Sequence, residues 1–380
     1  MTGHPLEKWT DYREFCSAQT QWEEFTGRLF PENYSKTFPW LAAWWESYLD
    51  QGEATVYLQR DSQGRIAAAA PFFSRWEHFG GLPVRLLHLV GHGIGTDDLL
   101  VGPDADRFLP ALVGSLCEES WHVARFHRVR NAGQLAQLLE AVRAVGCRYT
   151  LQESLDYLVE LPGDYQQYLG SRSRKFRRNL NQAENRLNRL GNVEFLVLDP
   201  YRDAERVIDA GLRIARGSWQ YRQGLSHFNE RQRGTLYESL SARGRGAGGE
   251  DFNLLLVDGN PVAYLLGCRR QRTYYAVDTA FHEDFRSVSA GRILFNKIVE
   301  RLILQGEVDL LDFEGAGEYK DDYANATLTI QSVLVYRPSA YGRLVRCFKE
   351  SALFPRLKAL GQGFAKGSRP RPTPKEQPEP

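Results

Sequence analysis

Phe252-Asn-Leu-Leu-Leu-Val257, Asp258-Gly-Asn-Pro261, Val262-Ala-Tyr-Leu-Leu-Gly-Cys268 and Thr273-Tyr-Tyr-Ala-Val-Asp-Thr279 read as strand, turn, strand and strand, an antiparallel meander. A loop from Phe281 to Ala290 follows. Residues 292–304 then place Ile293, Leu294, Ile298, Val299 and Leu302 on one broad face, with Asn296, Lys297, Glu300 and Arg301 elsewhere. This is the period of an amphipathic helix. Gly306 is placed to end it, and Val308 to Phe313 to form a returning strand. A helix laid on such a sheet makes a compact α/β unit.

The upstream half repeats this order. Ala54-Thr-Val-Tyr-Leu58, the turn Asp61-Ser-Gln-Gly64 and Ile66 to Phe73 echo the hairpin. Asp98-Leu-Leu-Val101, a helix from about Ala105 to Glu119 and Val123 to Val129 echo strand, helix and strand. The expected fold is α/β (α+β), with tandem domains at 1–165 and 166–340 whose mixed sheets are flanked by helices. Residues 341–366 show a broken amphipathic helical pattern that suits packing on the domain or an anionic surface. Residues 367–380 are rich in proline and charge, and are expected to be disordered.

Lys+Arg 48 against Asp+Glu 47 gives a net charge of +1, so no global field demands DNA or a membrane. Membrane association is expected to be peripheral at most. Five cysteines without C-x-x-C spacing fit a reducing compartment, by default the cytoplasm. His88 with His92 and His122 with His127 lack a third ligand at metal-binding spacing, so no metal is expected. Neither a signal segment nor a run of 18 apolar residues is found.

Arg286-Ser-Val-Ser-Ala-Gly291 is a small-residue turn leading into a helix, where unpaired N–H groups and the positive end of the dipole suit a phosphate. The matching place upstream, Val101-Gly-Pro-Asp-Ala-Asp106, carries two acids that repel a pyrophosphate, so the first copy is expected to be degenerate. Between the copies, Phe176, Leu180, Ala183, Leu187 and Leu190 line one side of a helix that Ser171 or Ser173 can cap and Gly191 can end. Its early face holds Arg172, Arg174, Lys175, Arg177 and Arg178, either a grip for anions or a solvated basic face.

Ser171 to Asn179, Asp258-Gly259, Ser289-Ala290-Gly291 and Asp312-Phe-Glu-Gly315 followed by Tyr319-Lys320 carry a resemblance. In this order they resemble the CelD/BcsL-type acyltransferases of the GNAT superfamily, strongly over about 165–325 and more loosely before. The resemblance implies a GNAT fold using acetyl-CoA or another acyl-CoA as co-substrate. It places the pyrophosphate on Arg286, Ser287, Val288, Ser289, Ala290, Gly291 and Arg292. The superfamily loop Q/R-x-x-G-x-G/A is met by Arg286 and Gly291, and Ser289 departs from it. The implied acceptor is a small-molecule or sugar amine, in association with polysaccharide biosynthesis machinery.

Transfer to an amine needs a base, an oxyanion donor and a proton for the thiolate. Glu314 at the end of the last core strand is the first candidate base, with Asp312 and Asp278 as alternatives. Strand alternation places Asp312 and Glu314 on one face. All three can instead be structural carboxylates. Tyr319, or Tyr323, is a candidate acid, and Lys320 a candidate for binding an acceptor anion. Trp219, Tyr221, Arg222 and Gly224 suit a sugar or planar acceptor, or core packing. Two other readings stand beside this one. Arg174 and Lys175 of the basic helix are further candidates for substrate binding, and in a Fem-type aminoacyl transferase that helix would grip the acceptor stem of a charged tRNA; alternatively, the chain is a non-catalytic scaffold of a polysaccharide synthesis complex.

Overall fold

The computed structural model describes residues 6–351 except 80, 104, 106, 224–227, 229–232, 244–248 and 316. Asp104, Asp106 and Gly224, and the expectations for residues 352–380, lie outside the described residues.

The first half runs β1 (Glu7–Trp9), α1 (Tyr12–Ser17), α2 (Gln19–Leu29), α3 (Phe38–Ser47), β2 (Glu53–Arg60), β3 (Ile66–Phe79), β4 (Leu82–Leu89) and β5 (Leu100–Val101). It continues through α4 (Phe108–Glu118), β6 (Val123–Val129), α5 (Ala132–Ala144) and β7 (Arg148–Glu160). The second half begins with α6 (Tyr165–Ser171), α7 (Arg174–Asn188), β8 (Val193–Leu198), α8 (Ala204–Arg216), α9 (Trp219–Arg222) and α10 (Arg233–Ala242). The meander β9 (Glu250–Val257), β10 (Asn260–Arg270) and β11 (Thr273–Phe281) follows, then α11 (Ala290–Gln305), β12 (Leu310–Asp312), α12 (Glu318–Tyr323), β13 (Ala326–Tyr336) and α13 (Ala340–Glu350).

The predicted meander forms because its turn chemistry agrees with its strands. Val257 pairs with Asn260 across a two-residue loop, and Asp258 and Gly259 both take positive φ (48° and 73°), as a tight hairpin requires. Helix α11 buries Ile293, Leu294, Ile298, Val299 and Leu302 and ends on left-handed Gly306. Asn296, expected on the polar face, is buried and accepts a hydrogen bond from the Tyr165 hydroxyl at 2.9 Å. The partner comes from α6, which periodicity within α11 cannot reveal.

The upstream repeat is real but differently built. Its third meander strand is β4, not Asp98–Val101, of which only the two residues of β5 pair, against β3. The chain at 98 is instead tied to the end of β6, the Asp98 carboxylate accepting from the backbone of Arg130 and Asn131.

One mixed sheet runs through the molecule in the order β1-β2-β3-β4-β6-β13-β7-β12-β11-β10-β9-β8. The two halves exchange their last strands: β13 lies against β6 of the first half, and β7 against β12 of the second. At the centre β7 and β13 pair antiparallel from Leu158↔Ala326 to Arg148↔Tyr336. A boundary at 165 therefore divides the chain in order but not in space. Helices α7 and α11 cover one face of the second half. Helices α3, α8 and α10 share a core with the opposite face, so the first half also packs over the second.

Candidate active site

The parallel pair β11–β12 holds register for only three positions, Thr273–Tyr275 against Leu310–Asp312. Strand β11 runs on to Phe281 while β12 stops, and the strands part. Where β11 continues, a cavity of about 250 Å³ opens between Trp219, Thr279, Phe281, Phe295, Tyr319 and the turn before α11. Beside it, the register shift between Leu266 and Gly267 leaves Val277 without a ladder position on β11. Such a bulge frees backbone groups from the ladder.

The turn before α11 differs from its expected form in one respect. Ser289 sits in the left-handed region (φ 58°, ψ 43°), and its side chain caps nothing. The conformation explains why glycine suits this place, and a serine there carries backbone strain. Arg286, Ser289, Gly291 and Arg292 line the cavity. Val288 and Ala290 point into the core, leaving only their backbone to a ligand. Ser287 and Arg286 are exposed, and Arg292 is bonded to Asp322 at 2.6 Å. Gly291 has little room for a side chain, since an added Cβ would stand 3.3 Å from the Phe281 ring.

At the other end of the parting, Glu314 follows the strand in a left-handed conformation (φ 50°). Alternation therefore does not carry past Asp312, and the expectation that the two acids share a strand face does not hold. Instead the Glu314 N–H donates to the Asp312 carboxylate at 2.7 Å. The half-buried Glu314 carboxylate accepts from the Tyr34 hydroxyl at 2.5 Å. Burial raises its pKa to about 7 against the pull of the Arg128 guanidinium, with the negative charge of Asp312 also raising it. A carboxyl poised there can exchange a proton near neutrality.

Asp312 is itself held by Arg130 at 2.6 Å. The fully buried Asp156, on the exchanged strand β7, binds Arg128 at 2.9 Å and Arg130 at 2.6 Å. Two guanidiniums and two carboxylates thus neutralise one another at the junction of the halves. Lys320 reaches in from α12 and donates to the Phe313 carbonyl at 2.8 Å; burial lowers its pKa to about 8.

Several predicted residues lie elsewhere. Asp278 accepts from the Tyr237 and Tyr264 hydroxyls at 2.8 and 2.9 Å, in the core shared with α10. Tyr323 is buried, its hydroxyl on the Arg292 carbonyl at 2.6 Å, whereas Tyr319 lines the cavity and burial pushes its pKa to about 12. Trp219 lines the same cavity, and Arg222 pairs with Glu283. In the basic helix, Ser173 is the cap. Arg172 and Arg177 are tied to backbone carbonyls around α6 and residues 323–324, while Arg174 and Lys175 are exposed. Leu190, predicted on the apolar side, lies beyond the helix and is exposed.

Tyr34, Arg128, Arg130 and Asp156 were not anticipated. Two of them gave a signal, as the arginines close the predicted strand Val123–Val129. No group of three or more His, Cys, Asp or Glu among the described residues could hold a metal ion.

Residues 174–323 match the model of the acetyltransferase (GNAT) domain. Over this stretch the chain is similar to that domain. No curated protein sequence matches the chain. Among solved structures, FemX aligns over 90% of this chain and 100% of its own at 12% identity and a TM-score of 0.57. A conserved protein of unknown function from Bacteroides thetaiotaomicron aligns over 88% of this chain and 99% of its own, at 14% identity and a TM-score of 0.53. At these identities the likeness is one of fold. A tandem GNAT protein from the clavulanic acid biosynthesis pathway also aligns, over 88% of this chain and 99% of its own, at 12% identity and a TM-score of 0.46.

Proposed function

We propose that the protein is an acyl-CoA dependent N-acyltransferase, with acetyl-CoA the first donor to test, that transfers the acyl group directly to an amine. The observation that carries this reading is Glu314, a half-buried carboxyl with a pKa of about 7 where β11 and β12 part. The turn before α11 would take the pyrophosphate through the backbone of Ala290 and Gly291, with Arg286 adding charge. From Thr279 to Tyr275 along β11 is roughly 13 Å, a span for the extended arm of the cofactor between the two ends of the parting.

Glu314 as carboxylate takes a proton from the acceptor ammonium. The neutral nitrogen attacks the thioester carbonyl carbon, and a backbone N–H freed near Val277 meets the oxyanion. As the C–N bond forms the C–S bond breaks; the thiolate takes a proton from Tyr319, which regains one from the nitrogen. The products are the amide, free coenzyme A and the proton left on Glu314.

Calorimetric titration with acetyl-CoA tests the reading. Binding is expected, and its absence at millimolar ligand overturns it. Glu314→Gln should keep binding and lose roughly 10²–10⁴ in turnover; full activity would remove Glu314 as base. The resemblance to CelD/BcsL-type enzymes makes an amino sugar or nucleotide sugar of polysaccharide synthesis the acceptor to try first. A Fem-type aminoacyl-tRNA donor is the second reading, favoured by the exposed pair Arg174 and Lys175. Salt-sensitive binding of charged tRNA in place of coenzyme A would support it.

A further inference from the structure

A second cavity, of about 160 Å³, opens onto Glu314 from the side of the first half. Its wall is drawn from both halves: Glu32, Tyr34 and Asp98 from the first, Tyr275 and Glu314 from the second, with Arg130 at the junction. The rings of Tyr34 and Tyr275 meet at 5.2 Å. The reading above brings the acceptor nitrogen to Glu314 but does not say what else in this cavity the acceptor meets.

Its charge can be followed group by group. Arg130 lines it, but that charge is answered by Asp156 and Asp312, and Arg128 shares Asp156. Lys36, on the first-half side, is fully buried; burial lowers its pKa, and Asp97, Asp98 and Glu314 are the negative groups acting on it. Lys320 stands on the Phe313 carbonyl. Glu32 at the exposed mouth and Asp98 part-way in therefore leave the entrance negative, ahead of Glu314 and two tyrosine rings. A cation is favoured by such carboxylates and by aromatic faces. An anionic group attached beside the reacting nitrogen would meet the same carboxylates as like charges, in surroundings of low dielectric. The volume is about half the lower end of the ~300–1,000 Å³ of pockets that enclose a drug-sized ligand, so it takes an amine and a few attached atoms, the rest of the acceptor staying outside.

We propose that this cavity is the acceptor site, built jointly by the two halves, and that it selects a primary ammonium with no anionic group next to the reacting nitrogen. The proposal deepens the N-acyltransferase reading and rests on it for the reaction, but not for amine binding. The first half is then more than a support, because it supplies the carboxylates that choose the acceptor.

Glycinamide and glycine test it, since they differ in little but the carboxylate charge. With acetyl-CoA as donor and thiol release as readout, kcat/KM for glycinamide should exceed that for glycine by roughly tenfold or more. Glu32→Gln and Asp98→Asn should each narrow that ratio through KM, with acetyl-CoA affinity unchanged. Asp98 also anchors the backbone at 130–131, so Glu32→Gln at the exposed mouth is the variant that decides if Asp98→Asn does not fold. Equal use of the two amines, or a ratio unmoved in Glu32→Gln, overturns the proposal. Saturation-transfer NMR on the protein without donor separates this from failure of the donor reading. Glycinamide signals that weaken in Glu32→Gln uphold the site even where acetyl-CoA does not bind, and no difference between the amines overturns it.

Discussion

The molecule contains the same strand parting twice, once open and once filled. In the second half, β11 and β12 separate after three paired positions, and the space beyond is the cavity under α11. In the first half β4 and β6 likewise pair only at Leu86–His88 and Val123–Arg125. There the space beyond is packed with rings: Trp44 and Phe73 close on the buried His88, which lies 4.8 Å from His92, and the exposed His127 stands at the outer end, 5.9 Å from His92. The two halves supply two similar frames, and the side chains at the end of each ladder decide which leaves a cavity. A residue after each ladder, Arg128 and Glu314, takes a left-handed conformation (φ 53° and 50°), and the charge of the first acts on the carboxyl of the second. Strain of this kind persists where surrounding structure holds it, which is common at functional sites.

The hardest way to break the comparison is to unfasten the junction. Asp156→Ala would leave the buried Arg128 without its carboxylate and Arg130 with Asp312 alone, and should destabilise the fold by roughly 3–5 kcal/mol, measured by urea unfolding. A loss below ~1 kcal/mol would show that the halves do not depend on this network.

The filled and open partings should next differ in the sign of their pH dependence. Burial lowers the His88 pKa from 6.5 to about 3, so the unfolded chain binds the extra proton between those values and stability falls as pH drops below 6.5. Glu314 is raised from 4.5 to about 7, so the folded chain holds the extra proton and stability falls as pH rises through that window. Unfolding of His88→Leu and Glu314→Gln across pH 4–8 should flatten opposite limbs of the profile. Slopes that change in the same direction would refute the contrast. In the wild type, turnover should rise as pH passes about 7, where Glu314 ionises.

The smallest effect tests the turn itself. Ser289→Gly removes a left-handed serine and should raise stability by about 1 kcal/mol in thermal unfolding, with acetyl-CoA affinity kept or improved. A lower melting temperature would mean that the serine side chain holds the turn in a way its contacts do not show.

How far the fold could be read depended on how local its causes are. The D-G hairpin, the period of α11 and the Gly306 stop were legible because each follows from residues within a turn or two. Strand β4 escapes the sequence reading although its ladder to β3 is local; only its second partner, β6, lies beyond a helix and a loop. The site divides in the same way. Glu314 and the turn from Arg286 to Gly291 stood out by position, whereas Tyr34, 280 residues away in sequence from the carboxylate it bonds, gave no sign. Asp98, read as part of a strand, proved to be a cavity wall.

The sequence alone therefore determined the meander, the helix that covers it and the acidic strand end, because backbone turn preferences and apolar periodicity act over a few residues. Only the tertiary structure decided the exchange of β7 and β13, the filling of one parting and the opening of the other, and the electrostatic setting of Glu314. Those outcomes depend on burial and on charges contributed by distant segments, and neither exists until the chain has closed on itself.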